Sequence, residues 1–164
     1  TLNYDISLMA QIAPNAASAY EPIEDVVWEN NYIAPNLSNK TPLVSHYMLS
    51  IQGNRITVRN NIINASDTGF GIPIFQVMGV NSGGSPASND VLIENNSVYS
   101  AHTRATLVSK TGSGQVGINI KNTIAYAPNS GSNAQLIDAA DPEFVFTNCS
   151  TLTHSTLLRK STCQ

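Results

Sequence analysis

Few residues in this chain can carry acid–base chemistry, because only 12% of its 164 residues are charged and only three are histidines. The candidates are His46, Asp67, His102, Arg104 and Lys110. Removing a proton beside a carboxylate requires a base, for which His102 or Lys110 is suited, and cations such as Arg104 and Lys110. Hydrolysis of a glycosidic bond would instead require two carboxylates about 5–10 Å apart. Asp67 is the acid expected near these residues, whereas Asp90 lies in a long loop, so the residue types favour proton abstraction.

A short phrase recurs five times and sets where these residues can lie. Each copy has two apolar residues spaced by one, followed two positions later by an asparagine. The asparagines are Asn30, Asn60, Asn95, Asn122 and Asn148. Successive copies are 30, 35, 27 and 26 residues apart. Self-similarity at a period of about 20–50 residues is typical of stacked repeats, so the phrase predicts a solenoid.

Each copy of the phrase predicts a short β-strand that ends at its asparagine. Apolar positions alternate, as at Ile56 and Val58, and most are β-branched residues, which favour strands. An asparagine can bond to local backbone and tolerate unusual φ/ψ at the bend. Because the offset is constant, we expect the five asparagines to stack as a buried ladder of amide hydrogen bonds.

Two further strands are predicted in each repeat. Apolar segments precede the phrases at residues 6–8, 48–51, 72–75, 105–108 and 135–137. Others follow the asparagine pairs at residues 32–33, 62–63, 97–98 and 124–125. Three short strands and three turns form one coil of a parallel β-solenoid, which buries its apolar face only within the stack. The predicted fold is therefore all-β, with about five coils.

This pattern resembles the PbH1-type repeats of right-handed parallel β-helix proteins, the superfold of pectate lyases, other polysaccharide lyases, many glycoside hydrolases and phage tailspikes. Residues 138–145 resemble the closing coil of bacterial members. The resemblance covers nearly the whole chain and implies a carbohydrate-associated protein. It also allows calcium as a cofactor, although no residues of the sequence themselves point to a cofactor. The paired aspartates followed by Gly-His-Gly that mark some of these enzymes do not occur in the sequence.

The resemblance further implies where substrate would bind, because in these proteins it lies along the first strand of each coil and the flanking turns. Stacking would bring His46, Asp67 and the His102–Arg104 pair toward one edge. By alternation, the outward residues of these strands include Met48, Ser50, Gln52, Gln76, Met78, Thr106, Val108 and Lys110. Substrate contacts are expected from Gln52, Gln76, Asn81 and Asp90. The last two lie in the loop 78–90, which is either a binding loop or a tolerated insertion.

Composition favours a single secreted or surface-exposed domain. The chain has a mass of 17.5 kDa, and its 41% hydrophobic residues are enough for a core. We therefore treat residues 1–164 as one domain. The charged fraction is half the usual ~25%, which fits an extracellular, cell-surface or virion-surface solenoid. A net charge of −3 predicts no nucleic-acid partner, and no apolar run reaches the ~20 residues of a membrane span.

The two cysteines, Cys149 and Cys163, both fall in the last coil and its tail. A disulfide between them would pin residues 155–164 to the final coil. The tail 151–164 is expected to fold over the end of the solenoid as a cap. The alternative is one buried and one exposed thiol in a reducing compartment. Since the chain has no Cys-x-x-Cys pair and no Cys/His cluster, no metal site is predicted.

Two functions remain open for this fold. The first is a secreted carbohydrate-associated β-helix, either a polysaccharide lyase-like domain or a glycan binder, acting on acidic polysaccharide. The second is a structural or adhesive solenoid without catalytic activity, such as part of a phage tailspike, a surface adhesin or a fibre. Thr1 leads into the first predicted coil with no capping helix before it. We therefore expect either further coils of a longer protein or self-association through this open end.

Overall fold

The structure is a computed structural model that describes residues 8–12, 23–34, 47–65, 73–80, 86–101, 105–130, 134–137 and 141–152. Within these ranges the chain forms three parallel sheets. Sheet 1 contains β1 (Leu8–Ile12), β4 (Tyr47–Ile51), β7 (Pro73–Met78), β10 (Ala105–Thr111) and β13 (Ala134–Ile137). Sheet 2 contains β2 (Val27–Glu29), β5 (Thr57–Arg59), β8 (Leu92–Glu94), β11 (Ile118–Lys121) and β14 (Phe144–Thr147). Sheet 3 contains β3 (Tyr32–Ile33), β6 (Ile62–Asn64), β9 (Ser97–Tyr99), β12 (Ile124–Tyr126) and β15 (Ser150–Leu152).

Each strand pairs with the strand three places along the chain, so that three consecutive strands make one coil. Thr57 of β5, for example, lies between Val27 of β2 and Leu92 of β8. Every sheet therefore stacks five strands, one from each repeat of the phrase. The prediction of an all-β parallel solenoid is confirmed. None of the described residues forms a helix long and apolar enough to cross a membrane.

The core consists of the alternating apolar residues of sheets 2 and 3 together with sheet 1. In the second coil Ile56, Val58 and Ile63 are fully buried, and the same positions recur in the later coils. These equivalents are Val91, Ile93, Val98, Ile118, Ile120, Ala125 and Phe144. Burying an aliphatic side chain of this size stabilises a fold by about 1.5–3 kcal/mol. The strand period of the phrase thus directs each coil into one shared core.

An asparagine ladder is present, but it lies one residue beyond the predicted asparagines. Its members are Asn31, Asn61, Asn96, Thr123 and Cys149. The Oδ1 atom of Asn61 accepts hydrogen bonds from the backbone N and the Nδ2 of Asn31, both at 3.0 Å. Asn96 accepts the same two bonds from Asn61, also at 3.0 Å. In the fourth coil the Oγ1 of Thr123 accepts from the backbone N of Asn96 at 3.4 Å.

The ladder also satisfies strand carbonyls that the bend would leave unpaired. Nδ2 of Asn61 donates to the carbonyl of Trp28 at 3.2 Å, and Nδ2 of Asn96 donates to the carbonyl of Val58 at 3.0 Å. In the last coil the Cys149 Sγ lies 3.3 Å from the carbonyl oxygen of Ile120. Asn61 and Asn96 therefore each join their own coil to the coils before and after it. Cys163 lies outside the described residues, so the disulfide stays a prediction.

The predicted ladder residues instead occupy the exposed bend, where one amide hydrogen bond joins two of them, from Nδ2 of Asn148 to Oδ1 of Asn122 at 3.2 Å. Asn30, Asn60, Asn95, Asn122 and Asn148 all have positive φ, between 46° and 59°, and all are exposed. Asparagine is one of the few non-glycine residues that visit this left-handed region routinely, because its short polar side chain can bond locally. The expected tolerance of unusual φ/ψ is confirmed. The expected burial is wrong, because the left-handed turn rotates the first asparagine outward and the second inward.

A second left-handed column precedes sheet 2, five residues before the first. It contains Asp25, Arg55, Asp90 and Gly117, with φ between 52° and 69°. The residues just before them, Glu24, Asn54, Asn89 and Val116, form single parallel bridges from coil to coil. Each of the first four strands of sheet 2 is therefore bounded at both ends by a left-handed residue. This explains why these strands are only three or four residues long.

The left-handed bend gives a first testable prediction. Asn95→Ala should destabilise the protein by about 1 kcal/mol, because alanine is strained in the left-handed conformation. Asn95→Gly should change the stability by only about 0.3 kcal/mol, because glycine adopts that conformation freely. Urea unfolding of both variants against the unmodified protein measures the two differences. Equal losses for alanine and glycine would mean that the asparagine side chain, rather than its backbone conformation, matters at this position.

Candidate functional site

Of the five predicted catalytic residues, Lys110 is the one within the described ranges. His46, Asp67, His102 and Arg104 lie outside the described residues, and so does the predicted contact Asn81. The Nζ of Lys110 donates to Oδ2 of Asp141. That bond, and then the backbone N–H of Glu143, hold the pKa of Asp141 below its usual value. The ammonium is thus bound by a carboxylate that the sequence analysis did not assign to the site.

The other predicted substrate contacts have separate surroundings. Gln52 is only 4% exposed, and its Nε2 donates to the carbonyl of Pro86 at 3.0 Å, so its amide is committed inside the protein. Gln76 is half-buried and pairs in register with Ser50 and Ser109 of the neighbouring strands. Asp90 is exposed at the second left-handed column, between sheets 1 and 2.

The alternating pattern gives a wrong prediction of which residues of sheet 1 face outward. Met48, Ser50 and Val108 were expected outside, yet all three are buried, as is the intervening Leu49. Both sets of alternating side chains are buried in β4, and β10 buries three residues in a row, 107–109. Parallel strands buried on both faces lose the one-sided pattern on which the expectation rested. The described middle of sheet 1 therefore offers no exposed row of side chains along these strands.

The outer face of sheet 2 carries a charge column of alternating sign. Glu29, Arg59, Glu94 and Lys121 align in register through the first four coils, and the Arg59 Nε lies 2.5 Å from Oε2 of Glu29. Opposite charges on neighbouring strands stabilise their pairing modestly. The column therefore favours this coil register and leaves the face with little net charge.

A second charge cluster lies beside the first two coils. Arg55 donates to Asp25 at 2.7 and 2.9 Å and to Glu24 at 2.7 Å. The bond from Asn54, followed by the bond from Arg55, lowers the pKa of Glu24, and Arg55 lowers the pKa of Asp25. The same bonds raise the pKa of Arg55 above its usual range. This guanidinium is held by two carboxylates rather than presented to an anionic ligand.

The outer face of sheet 3 is different, because its residues include no charge. The residues on either side of each buried middle position are Tyr32, Ile62, Asn64, Ser97, Tyr99, Ile124, Tyr126, Ser150 and Leu152. Several large apolar side chains here remain in solvent, with Tyr32 67% exposed and Ile62 55% exposed. An exposed apolar, aromatic surface beside the charged outer face of sheet 2 is a candidate interaction site.

A groove of about 310 Å³ crosses this uncharged face of sheet 3. It is lined by Tyr32, Ile62, Ile63, Asn64, Ser97, Val98 and Tyr99. The Tyr99 ring packs on the Tyr126 ring of the next coil, with centroids 5.9 Å apart and planes tilted by 48°. The groove thus combines fixed aromatic surface with amide and hydroxyl groups, which suits a ring with one apolar face and a polar rim.

Sequence reasoning assigned no role to these residues. The strands of sheet 3 are only two or three residues long, so alternation cannot be measured within one of them. The usable signal was comparative, since the positions after the asparagine pair lack charge in all five repeats while sheet 2 carries charge in four of its five strands. Aligning the five repeats by their asparagines would have revealed this contrast.

No protein-family model, curated protein or solved structure matches the chain. Among the described residues, no group of three or more His, Cys, Asp or Glu side chains is arranged to hold a metal ion. The groove of sheet 3 and its surroundings are therefore the features that indicate a function.

Proposed function

We propose that this protein is a glycan-binding β-solenoid and that the sheet 3 groove binds sugar rings. The observation that carries the proposal is the concave, uncharged surface of Tyr32, Ile62, Asn64, Ser97 and Tyr99. A pyranose ring presents C–H groups on its faces and hydroxyls around its edge. The tyrosine rings can contact the C–H face, while the amide and hydroxyl groups bond to the edge.

Binding is proposed because the groove of sheet 3 offers a surface that suits a sugar ring. The lyase prediction depends on His46, Asp67, His102 and Arg104, which lie outside the described residues, and on Lys110, whose ammonium binds Asp141. Lyase activity and an extracellular location stay predictions. An extracellular location would suit this proposal, since it would bring the groove into contact with polysaccharide.

The structural or adhesive solenoid is the competing proposal, and the same face could serve it by packing against a second chain. The groove is lined by polar as well as aromatic side chains, a combination that favours a small ring with polar edges over a second protein surface. Light scattering separates the two functions. An oligomer that dissociates when Tyr32 is replaced by serine would support the structural role and contradict the glycan proposal.

Removal of either tyrosine should weaken glycan binding. Tyr32→Ala and Tyr99→Ala are each expected to raise the dissociation constant about tenfold, because an aromatic contact contributes about 0.5–1.5 kcal/mol beyond its buried area. Calorimetric titration against a panel of neutral and acidic oligosaccharides measures the change. Val145→Ala provides the control, since Val145 is similarly exposed on sheet 2 and its loss should leave affinity unchanged.

Two results would contradict the proposal. One is the absence of binding to every oligosaccharide of the panel. The other is binding that survives both tyrosine substitutions while the circular dichroism spectrum shows the fold intact. A variant that unfolds gives no information on the site, so Tyr32→Phe and Tyr99→Phe are included. These variants keep the ring and should retain most of the affinity.

A further inference from the structure

Resting on the proposed function, we infer that the ligand is an uncharged glycan segment and that Ser97 is the residue that gives its ring access to the groove. The inference departs from the sequence-based expectation of an acidic polysaccharide. It follows from three observations on sheet 3: the absence of charge, the size of one side chain, and the coils that the groove spans.

The absence of charge selects an uncharged ligand. A bound carboxylate would lose its hydration without gaining an ionic partner among the described residues of this face, which is costly. Arg59 lies instead on sheet 2 and binds Glu29, Arg55 lies just before that sheet and binds Asp25, and Lys110 binds Asp141. These described cations are therefore already neutralised by the protein's own carboxylates, and none of the three lines the groove.

Ser97 opens the groove, because its side chain is much smaller than those of its two neighbours in the column. In register it lies between Ile62 of the coil before and Ile124 of the coil after, both about half exposed. The serine leaves space where its neighbours project, and Tyr99 of the same strand forms one side of that space. A larger residue at this position would fill the recess with its own atoms.

The groove also indicates how the ligand lies. Tyr32 belongs to the first coil and Tyr99 to the third, so the two rings are separated by two strand spacings, about 10 Å along the stack. A ligand that contacts both must cross the coils rather than follow one strand. Ser97 then lies beneath the part of the ligand that contacts Tyr99.

Two variants that introduce opposite charges at Ser97 test the inference directly. Ser97 is exposed, so Ser97→Lys and Ser97→Glu should both fold. For an uncharged ligand, both variants are expected to weaken binding of the best neutral oligosaccharide by about tenfold or more, since either charge fills the recess and loses hydration. Ser97→Ala, which preserves the space and the neutrality, loses only the hydroxyl contact and should weaken binding clearly less than either charged variant does. Thr57→Lys, on sheet 2, controls for the change in net charge and should have no effect.

The sign of the response distinguishes the alternatives. If Ser97→Lys strengthens binding of an acidic oligosaccharide while Ser97→Glu abolishes it, the ligand is acidic and this inference is wrong, although the proposed groove is retained. If both variants bind as the unmodified protein does, the ligand lies elsewhere and Ser97 has no role in access. Failure of all glycans to bind the unmodified protein would overturn the proposed function itself.

Discussion

Replacing Asn96 with aspartate is expected to destabilise the folded protein by about 3–5 kcal/mol at pH 7. Asn96 is buried, its Oδ1 accepts two bonds from Asn61, and its Nδ2 donates to the carbonyl of Val58. Aspartate would place a second acceptor oxygen against that carbonyl and bury a charge with no cation beside it. Asn96, the central residue of the ladder, should therefore be highly sensitive to the replacement of its amide nitrogen by an oxygen.

The loss of stability should increase as the pH rises. Burial raises the pKa of the introduced carboxyl above its unfolded value of about 3.9. The variant is therefore closest to the unmodified protein below that value, where the protonated carboxyl can donate to Val58, and the difference grows as pH rises through the raised pKa. Urea unfolding of both proteins at pH 4 and pH 7 measures this.

The adjacent asparagine supplies a matched control. Asn95→Asp makes the same chemical change one residue away, at an exposed left-handed position that aspartate tolerates. It should alter stability by no more than about 0.5 kcal/mol. Comparable losses at positions 95 and 96, or a loss at 96 that does not vary with pH, would contradict the assignment of Asn96 to the buried ladder.

The second large effect is expected at Gly112, where the chain leaves β10. Its φ is +73°, and an added Cβ would come within 3.0 Å of the carbonyl oxygen of Val80. Val80 and Ser113 form an antiparallel bridge at this point, which ties the loop 78–90 to the next coil. Gly112→Ala should combine left-handed strain with a backbone collision and cost about 2–5 kcal/mol.

Gly114 separates the two contributions to that loss. It also has positive φ, +85°, but an added Cβ would meet nothing closer than the Ala87 Cβ at 3.5 Å. Gly114→Ala should therefore show the backbone strain alone, about 1–2 kcal/mol. Thermal and urea unfolding of both variants test the difference. Equal costs at the two positions would mean that the bridge to Val80 is looser than the structure shows.

Much of the scaffold could be predicted from the sequence because each repeat obeys the same constraints. Alternating residues such as Ile56 and Val58 indicated the buried side of sheet 2, and the fixed offset of the asparagines indicated the stacking. The inward member of each Asn-Asn pair could not be deduced, since both residues satisfy the pattern. Which asparagine points inward depends on the positive φ of the first one. An asparagine tolerates that conformation but does not have to adopt it.

The remainder of the fold escaped prediction for other physical reasons. The second left-handed column holds aspartate, arginine and glycine at equivalent positions, so no common residue type identifies it. Sheet 1 misled the assignment of outward residues because Met48 and Leu49 are both buried. The groove was missed because the residues that form it, such as Tyr32 and Tyr99, belong to strands of two or three residues and come from different coils.

The location of the bound ligand tests the central claim most directly. An NMR titration of the isotope-labelled protein with the tightest-binding oligosaccharide of the panel would map the backbone amides that change. We predict that the shifts concentrate at Tyr32, residues 62–64 and residues 97–99, on the outer face of sheet 3. Shifts confined to β7 and β10 of sheet 1, with sheet 3 unaffected, would contradict the proposed binding site.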